Sequence, residues 1–109
     1  MRSSKVAFTL ILFLLASRGS FAEDIDVTVC KLQVNDNGNA YMSPCEGWTT
    51  KNNCPSTAPW ITWSLDSVAG KVMYSTALVG LTTGMKVTVR VDGSTCNGYD
   101  VTSIIKVSK

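Results

Sequence analysis

Residues 66–91, DSVAGKVMYSTALVGLTTGMKVTVRV, change hydrophobic period midway, and that change decides the fold class. In the first part Ala69, Met73, Ala77 and Leu81 recur every four residues, with Val72, Leu78 and Val79 widening the stripe. This predicts a helix over residues 68–83 with that stripe buried. Asp66 or Ser67 stands where a side chain caps the first turn. Gly84 suits the left-handed position after the last turn. Gly70 and Gly80 each weaken a helix by about 1 kcal/mol against alanine, so their use points to close approach to a sheet. From Met85 to Val91 the period becomes two, with Val87, Val89 and Val91 inward and Lys86, Thr88 and Arg90 outward, as in a strand.

Strand patterns flank this unit on both sides. Residues 25–34 (IDVTVCKLQV) are β-branched and alternate, but the phase slips: Ile25, Val27 and Val29 point one way, Cys30, Leu32 and Val34 the other. A slip of one residue predicts a bulge, or one strand long enough to serve two sheet surfaces. Asn37-Gly38 supplies a turn and residues 40–43 return as a second strand. Residues 60–65 (WITWSL) form a third, with Ile61, Trp63 and Leu65 sharing a face and Trp60 on the other side. Asp92-Gly93-Ser94 begins a loop that runs through Cys96 and Asn97-Gly98, and residues 101–107 are the last strand. The order is β-β-β-α-β-β: mainly β with one helix, as in the five-stranded, OB-fold-like barrel, with a generic α+β sandwich as the alternative.

The N-terminus is zoned. Arg2 and Lys5 precede an uncharged apolar run, residues 6–16 (VAFTLILFLLA), and Ser20-Phe21-Ala22 is a small-x-small cleavage pattern. This predicts a signal peptide at 1–22, with a single OB-fold-like domain at 23–109 that is secreted or periplasmic. The apolar run is too short for a bilayer core, which needs about 20 residues, so stable membrane insertion is not expected. Without the leader, seven basic residues face eight acidic ones, a net charge of −1. A near-neutral domain has no electrostatic footprint for nucleic acid.

Four cysteines, Cys30, Cys45, Cys54 and Cys96, in a small exported domain read as two disulfides. Their spacing contains no C-x-x-C and the chain has no histidine, so no zinc site and no other metal or cofactor is expected. Cys30 and Cys45 lie at nearly equal distances from the Asn37-Gly38 turn, which favours Cys30–Cys45 with Cys54–Cys96. Strict register places Cys30 opposite Pro44, so that pairing needs a bulge. Cys45–Cys54 with Cys30–Cys96 is the rival.

Catalytic constellations are missing. Ser75, Ser94 and Ser103 have no histidine partner, and paired cysteines leave no thiol nucleophile. Asp92 and Asp100 flank the last loop, where carboxylates are ordinarily solvated. The chain is expected to bind rather than catalyse. Residues 44–59 form a long irregular segment of the kind that is functional or pinned. It holds Trp48, Asn52 and Asn53, and Trp60 follows it. An aromatic face beside amide side chains suits a sugar ring, which stacks on one and hydrogen-bonds the other. Trp48 as a plug beneath its own loop is the open alternative.

Tyr74–Gly84 (YSTALVGLTTG), followed by Lys86–Arg90 (KVTVR), resembles the helix-to-strand passage of the binding subunits of pentameric bacterial toxins, of the subtilase cytotoxin and typhoid toxin type. Residues 101–107 are similar to the final strand of cholera-type subunits. The alanine-rich helix and late cysteine are also similar to those of small exported gammaproteobacterial proteins of unassigned function. The resemblance covers about half of the chain after the leader. It implies an OB-fold, glycan recognition and a homo-oligomer of five copies, and it carries no sugar-contacting residue across. The alternative is a monomer that binds or inhibits another protein.

Overall fold

A computed structural model describes residues 22–108. The leader expected at 1–22 lies, but for Ala22, outside the described residues. Six strands and one helix follow in order: β1 (Glu23–Val27), β2 (Val29–Val34), β3 (Asn39–Pro44), β4 (Ile61–Ser64), α1 (Val68–Thr83), β5 (Val87–Asn97) and β6 (Tyr99–Val107). The strands make one mixed sheet in the order β1-β5-β6-β4-β3-β2, antiparallel except for β4 against β6.

The slip of phase in residues 25–34 is a true break. β1 pairs with β5 and β2 pairs with β3, and Thr28 alone separates them. The expected single first strand is therefore two, at opposite ends of the sheet order. β1 and β2 share no ladder, so the sheet is not closed into a barrel; the expected five-stranded barrel is corrected to an open six-stranded sheet. The corner is pinned by Glu46: Thr28 N–H donates to its carboxylate at 2.9 and 3.1 Å and Thr28 Oγ1 at 2.7 Å.

The core lies between the sheet and α1. Val27, Val29, Ala40, Met42, Ile61, Trp63, Val87, Val89, Val91 and Ile105 are buried together with Ala77. The alternation expected in β5 holds, since Val87, Val89 and Val91 are almost wholly buried. Apolar alternation with β-branched residues is what a sheet covered on one face requires.

α1 has the expected bounds and caps. Ser67 accepts from Gly70 N–H at 3.0 Å, and Gly84 adopts φ 74°, its N–H closing on Gly80 O. Its buried face differs from the expected one. Gly70, Ala77 and Gly80 turn inward with Met73 and Tyr74 partly buried, while Ala69, Val72, Leu78, Val79 and Leu81 are exposed. Closeness explains this. A Cβ on Gly70 would overlap the carbonyl oxygen of Ser64, and one on Gly80 would lie 2.7 Å from Val87 Cγ1. Trp63 Nε1 donates to Gly70 O at 3.0 Å, which fixes helix to sheet.

Both disulfides follow the favoured pairing, Cys30–Cys45 and Cys54–Cys96. The required bulge falls at Cys30, where the β2–β3 register passes from Val29↔Pro44 to Lys31↔Ser43. Two disulfides point to an oxidising, extracytoplasmic milieu. Among the described residues no helix is long and apolar enough to cross a membrane. Residues 92–97, expected as a loop, continue β5 to a tight turn at Gly98, φ 75°, and β6 starts at Tyr99 rather than Val101.

Candidate functional site

The irregular connection between β3 and β4 is folded around one carboxylate. Asp100, at the start of β6, is 1% exposed. Its Oδ2 accepts from Trp48 Nε1 and from Lys51 N–H, both at 2.8 Å. Its Oδ1 accepts from Thr50 Oγ1 and Asn52 N–H, both at 3.1 Å. Four donors converge on one group, and a loop without a ladder satisfies its backbone in this way. Cys54 Sγ lies 3.3 Å from Oδ1, but a disulfide sulfur has no proton, so this is a contact only.

Further ties bind the loop to the turn between β5 and β6. Asn52 Nδ2 donates to Thr95 O at 2.9 Å, Ser56 N–H donates to Gly98 O at 3.1 Å, and the Cys54–Cys96 bond joins the same two segments. Asn52 Oδ1 is the one buried side-chain polar atom among the described residues without a hydrogen-bond partner.

This scaffold sets one wall of a groove of about 350 Å³ lined by Ile25, Asp26, Val27, Glu46, Gly47, Trp48, Thr49 and Lys51. Trp48 is half-buried: it packs on the core, donates its N–H to Asp100, and lines the groove. Lys51 Nζ stands 5.4 Å from the centre of that ring, a cation–π distance. The opposite wall is β1, through Ile25, Asp26 and Val27. Arg90 directs both N–H and C=O at Thr102 Oγ1 on β6, so its neighbours Val89 and Val91 face β1. By antiparallel alternation, Ile25 and Glu23 then pair with β5, and the N–H and C=O of Asp24 and Asp26 point outward from the sheet.

The charges of the groove are settled by neighbours. Hydrogen bonds from Thr28 N–H and Oγ1 hold the Glu46 carboxyl below its ordinary range, and Lys86 adds to this at 3.9 Å. A hydrogen bond from Arg90 lowers Asp24 in the same way, with Arg90 Nε at 2.7 Å. Asp26 accepts from Thr88 Oγ1 at 2.6 Å.

The four candidate residues from the sequence do not form one site. Trp48 lines the groove. Asn52 is turned to Thr95 and Asp100 and ties the loop down. Asn53 is exposed at φ 55°, a tight-turn conformation. Trp60 sits elsewhere, 6.4 Å edge-on to Tyr41, whose other neighbour is Tyr99 at 5.8 Å. Asn37 Nδ2 donates to Tyr41 Oη at 2.9 Å above that aromatic trio. Asp100 was the residue the sequence concealed, because a buried carboxylate reads like a solvated one. A signal existed in the long loop itself, whose unpaired amides demanded an acceptor.

Cys54, Cys96 and Asp100 place their sulfur and oxygen atoms within 4.8 Å of one another. The two sulfurs are bonded to each other and the carboxylate is already occupied by four donors, so this cluster offers a metal no ligand set.

No protein-family model matches the chain, and no curated protein or solved structure matches it either.

Proposed function

We propose that the chain is an exported, non-enzymatic binding protein of the OB-fold type that takes a glycan in the groove beside Trp48. The observation that carries this reading is the anchored ring. Asp100 holds the Trp48 ring by its N–H edge, so the ring is positioned before a ligand arrives and little entropy is lost on binding. The volume suits a small ligand. The rim offers what hydroxyls require: the Lys51 ammonium, the Thr49 hydroxyl, the carboxylates of Asp26 and Glu46, and the outward backbone of β1. The fold reading rests on the strand order, in which one interrupted first strand serves both ends of the sheet and the helix precedes the last two strands. The signal peptide and the disulfides support secretion or a periplasmic location. The lack of histidine supports a non-enzymatic role. Assembly into a toxin-like ring of five rests on the family resemblance alone.

The test is a glycan array with the exported protein and a Thr49→Trp variant. Thr49 is exposed, lines the groove and takes no part in the Asp100 bonds, so a bulky side chain there fills the site and spares the fold. Binding by the wild type that Thr49→Trp abolishes, with unchanged melting temperature, is the expected result. A wild-type protein that binds no glycan sinks the reading.

The outward N–H and C=O groups of Asp24 and Asp26 favour a second reading, in which a protein partner adds a strand to β1. Asp24→Pro, which removes one of those donors at a residue outside the groove lining, then abolishes capture of the partner, whereas glycan binding in the groove is retained.

A further inference from the structure

The outward face of α1 has too little polarity for a surface helix. Val68 is 78% exposed, Val72 58% and Val79 44%, and with Ser75 and Thr82 they form a row spaced 4-3-4-3, opposite buried Ala77. Lys71 is the helix's single charged residue. The hydroxyls on this side are already spent on the helix itself. Ser75 donates to Lys71 O, Thr76 to Val72 O, Thr82 to Leu78 O and Thr83 to Val79 O, at 2.6–3.3 Å. Such a face loses little on leaving water, and a helix apolar all round belongs in a buried setting.

We infer that α1 is the contact face of a homodimer in which two copies of the helix pack antiparallel across a two-fold axis at Ser75. The row is self-complementary about that residue. Val72 lies three places before it and Val79 four after; Val68 lies seven before and Thr82 seven after. A two-fold there sets Val72 against the partner's Val79 and Val68 against the partner's Thr82, as an isologous interface requires. The mean spacing of 3.5 residues is that of helices packed along a seam, and the small Ser75 at the crossing permits close approach.

Electrostatics give the orientation. α1 has no acidic residue in its first turn and no basic residue in its last, so no residue of its end turns offsets the dipole. An antiparallel copy sets each positive end beside a negative one and brings Lys71 toward the partner's last turn. In area, a sixteen-residue helix is about 24 Å long. A pair of them, with Leu78 at the flank, buries on the order of 1,000 Å² in total, the threshold for a specific interface. An interface at that lower bound is of the weak, transient kind, so dissociation in the micromolar range is the expectation to test.

The measurement is sedimentation equilibrium of the exported protein from roughly 1 μM to 1 mM, a range spanning that affinity. Concentration-dependent conversion to twice the chain mass is expected. Val72→Lys should raise the dissociation constant at least tenfold while leaving the melting temperature unchanged. Ser75→Cys should cross-link two chains on mild oxidation, and Lys71→Cys, off the axis, should not. A monomer throughout, a mass of five chains, or equal cross-linking of the two cysteine variants overturns the inference.

Discussion

Replacing Asp100 by asparagine changes one atom and should cost far more than a surface substitution. The carboxylate accepts two donors on each oxygen. Asparagine keeps one oxygen, which in the better orientation retains Trp48 Nε1 and Lys51 N–H. Its amide nitrogen then faces Thr50, whose hydroxyl can rotate to accept, and Asn52 N–H, which cannot. One backbone donor is left unsatisfied, at about 1–3 kcal/mol, and the remaining bonds lose their charge assistance, roughly another 1–2 kcal/mol together. The sum is about 2–5 kcal/mol. In a domain of this size each kcal/mol shifts the melting temperature by about 4–8 °C, so a fall of roughly 10–40 °C is expected. Thermal unfolding followed by circular dichroism reads that fall. Hydrogen exchange at the amides of Lys51 and Asn52 reads the lost bond directly, and Asn52, left without an acceptor, should lose more protection than Lys51. A melting temperature within about 3 °C of wild type, with both amides still protected, would refute the assignment of Asp100 as the anchor.

Gly70→Ala should destabilise the protein by more than 2 kcal/mol, on the order of an overpacked core position, because its Cβ would strike the Ser64 backbone; helix propensity alone gives the opposite sign, about 1 kcal/mol of stabilisation, so denaturant unfolding decides between them. Removing the Cys54–Cys96 bond by paired alanines should cost roughly 4 kcal/mol in loop-closure entropy for its separation of 42 residues, checked by urea midpoints. Acid should weaken the fold through Glu46 and Asp24. Both carboxyls are lowered in the folded state, so their contribution is present above the ordinary values of 4.5 and 3.8 and is lost as pH falls through the lowered folded values. Stability should decline from about pH 4.5 downward, and Glu46→Gln should flatten that decline in urea midpoints measured across the range.

The elements that local chemistry dictates were legible in the residues. Ser67 and Gly84 bound the helix because capping depends on a few adjacent atoms. Cys30–Cys45 followed from distances to a turn, bulge included, and the slip at Thr28 was visible as a change of alternation. The helix face was not legible, for a specific reason. Hydrophobic periodicity assumes that the inward residues are the large apolar ones, whereas α1 approaches its sheet so closely that glycines and an alanine face inward and valines face out. Asp100 was hidden for a related reason: its role depends on loop amides some fifty residues away. Trp60 and Trp48, near each other in sequence, have different partners, the Tyr41 ring for the first and the Asp100 carboxylate for the second.

The short parallel contact between β4 and β6 explains why a single carboxylate carries so much. Only Ile61↔Asp100 and Thr62↔Val101 pair there, so the chain just before β4 has no ladder to satisfy its amides. Asp100 stands at the edge of that contact and accepts from the loop in place of a neighbouring strand. Because two of its donors, Trp48 Nε1 and Lys51 N–H, belong to residues that line the groove, the wall of the site is positioned by the same bonds that hold the loop. On the proposed reading, stability and ligand affinity are coupled through Asp100 and separable through Thr49, which lines the groove outside that network. Asp100→Asn should lower both together, whereas Thr49→Trp should remove binding alone. A ligand affinity untouched by Asp100→Asn, measured below the variant's melting transition, would show that the bound molecule makes no use of the Trp48 wall.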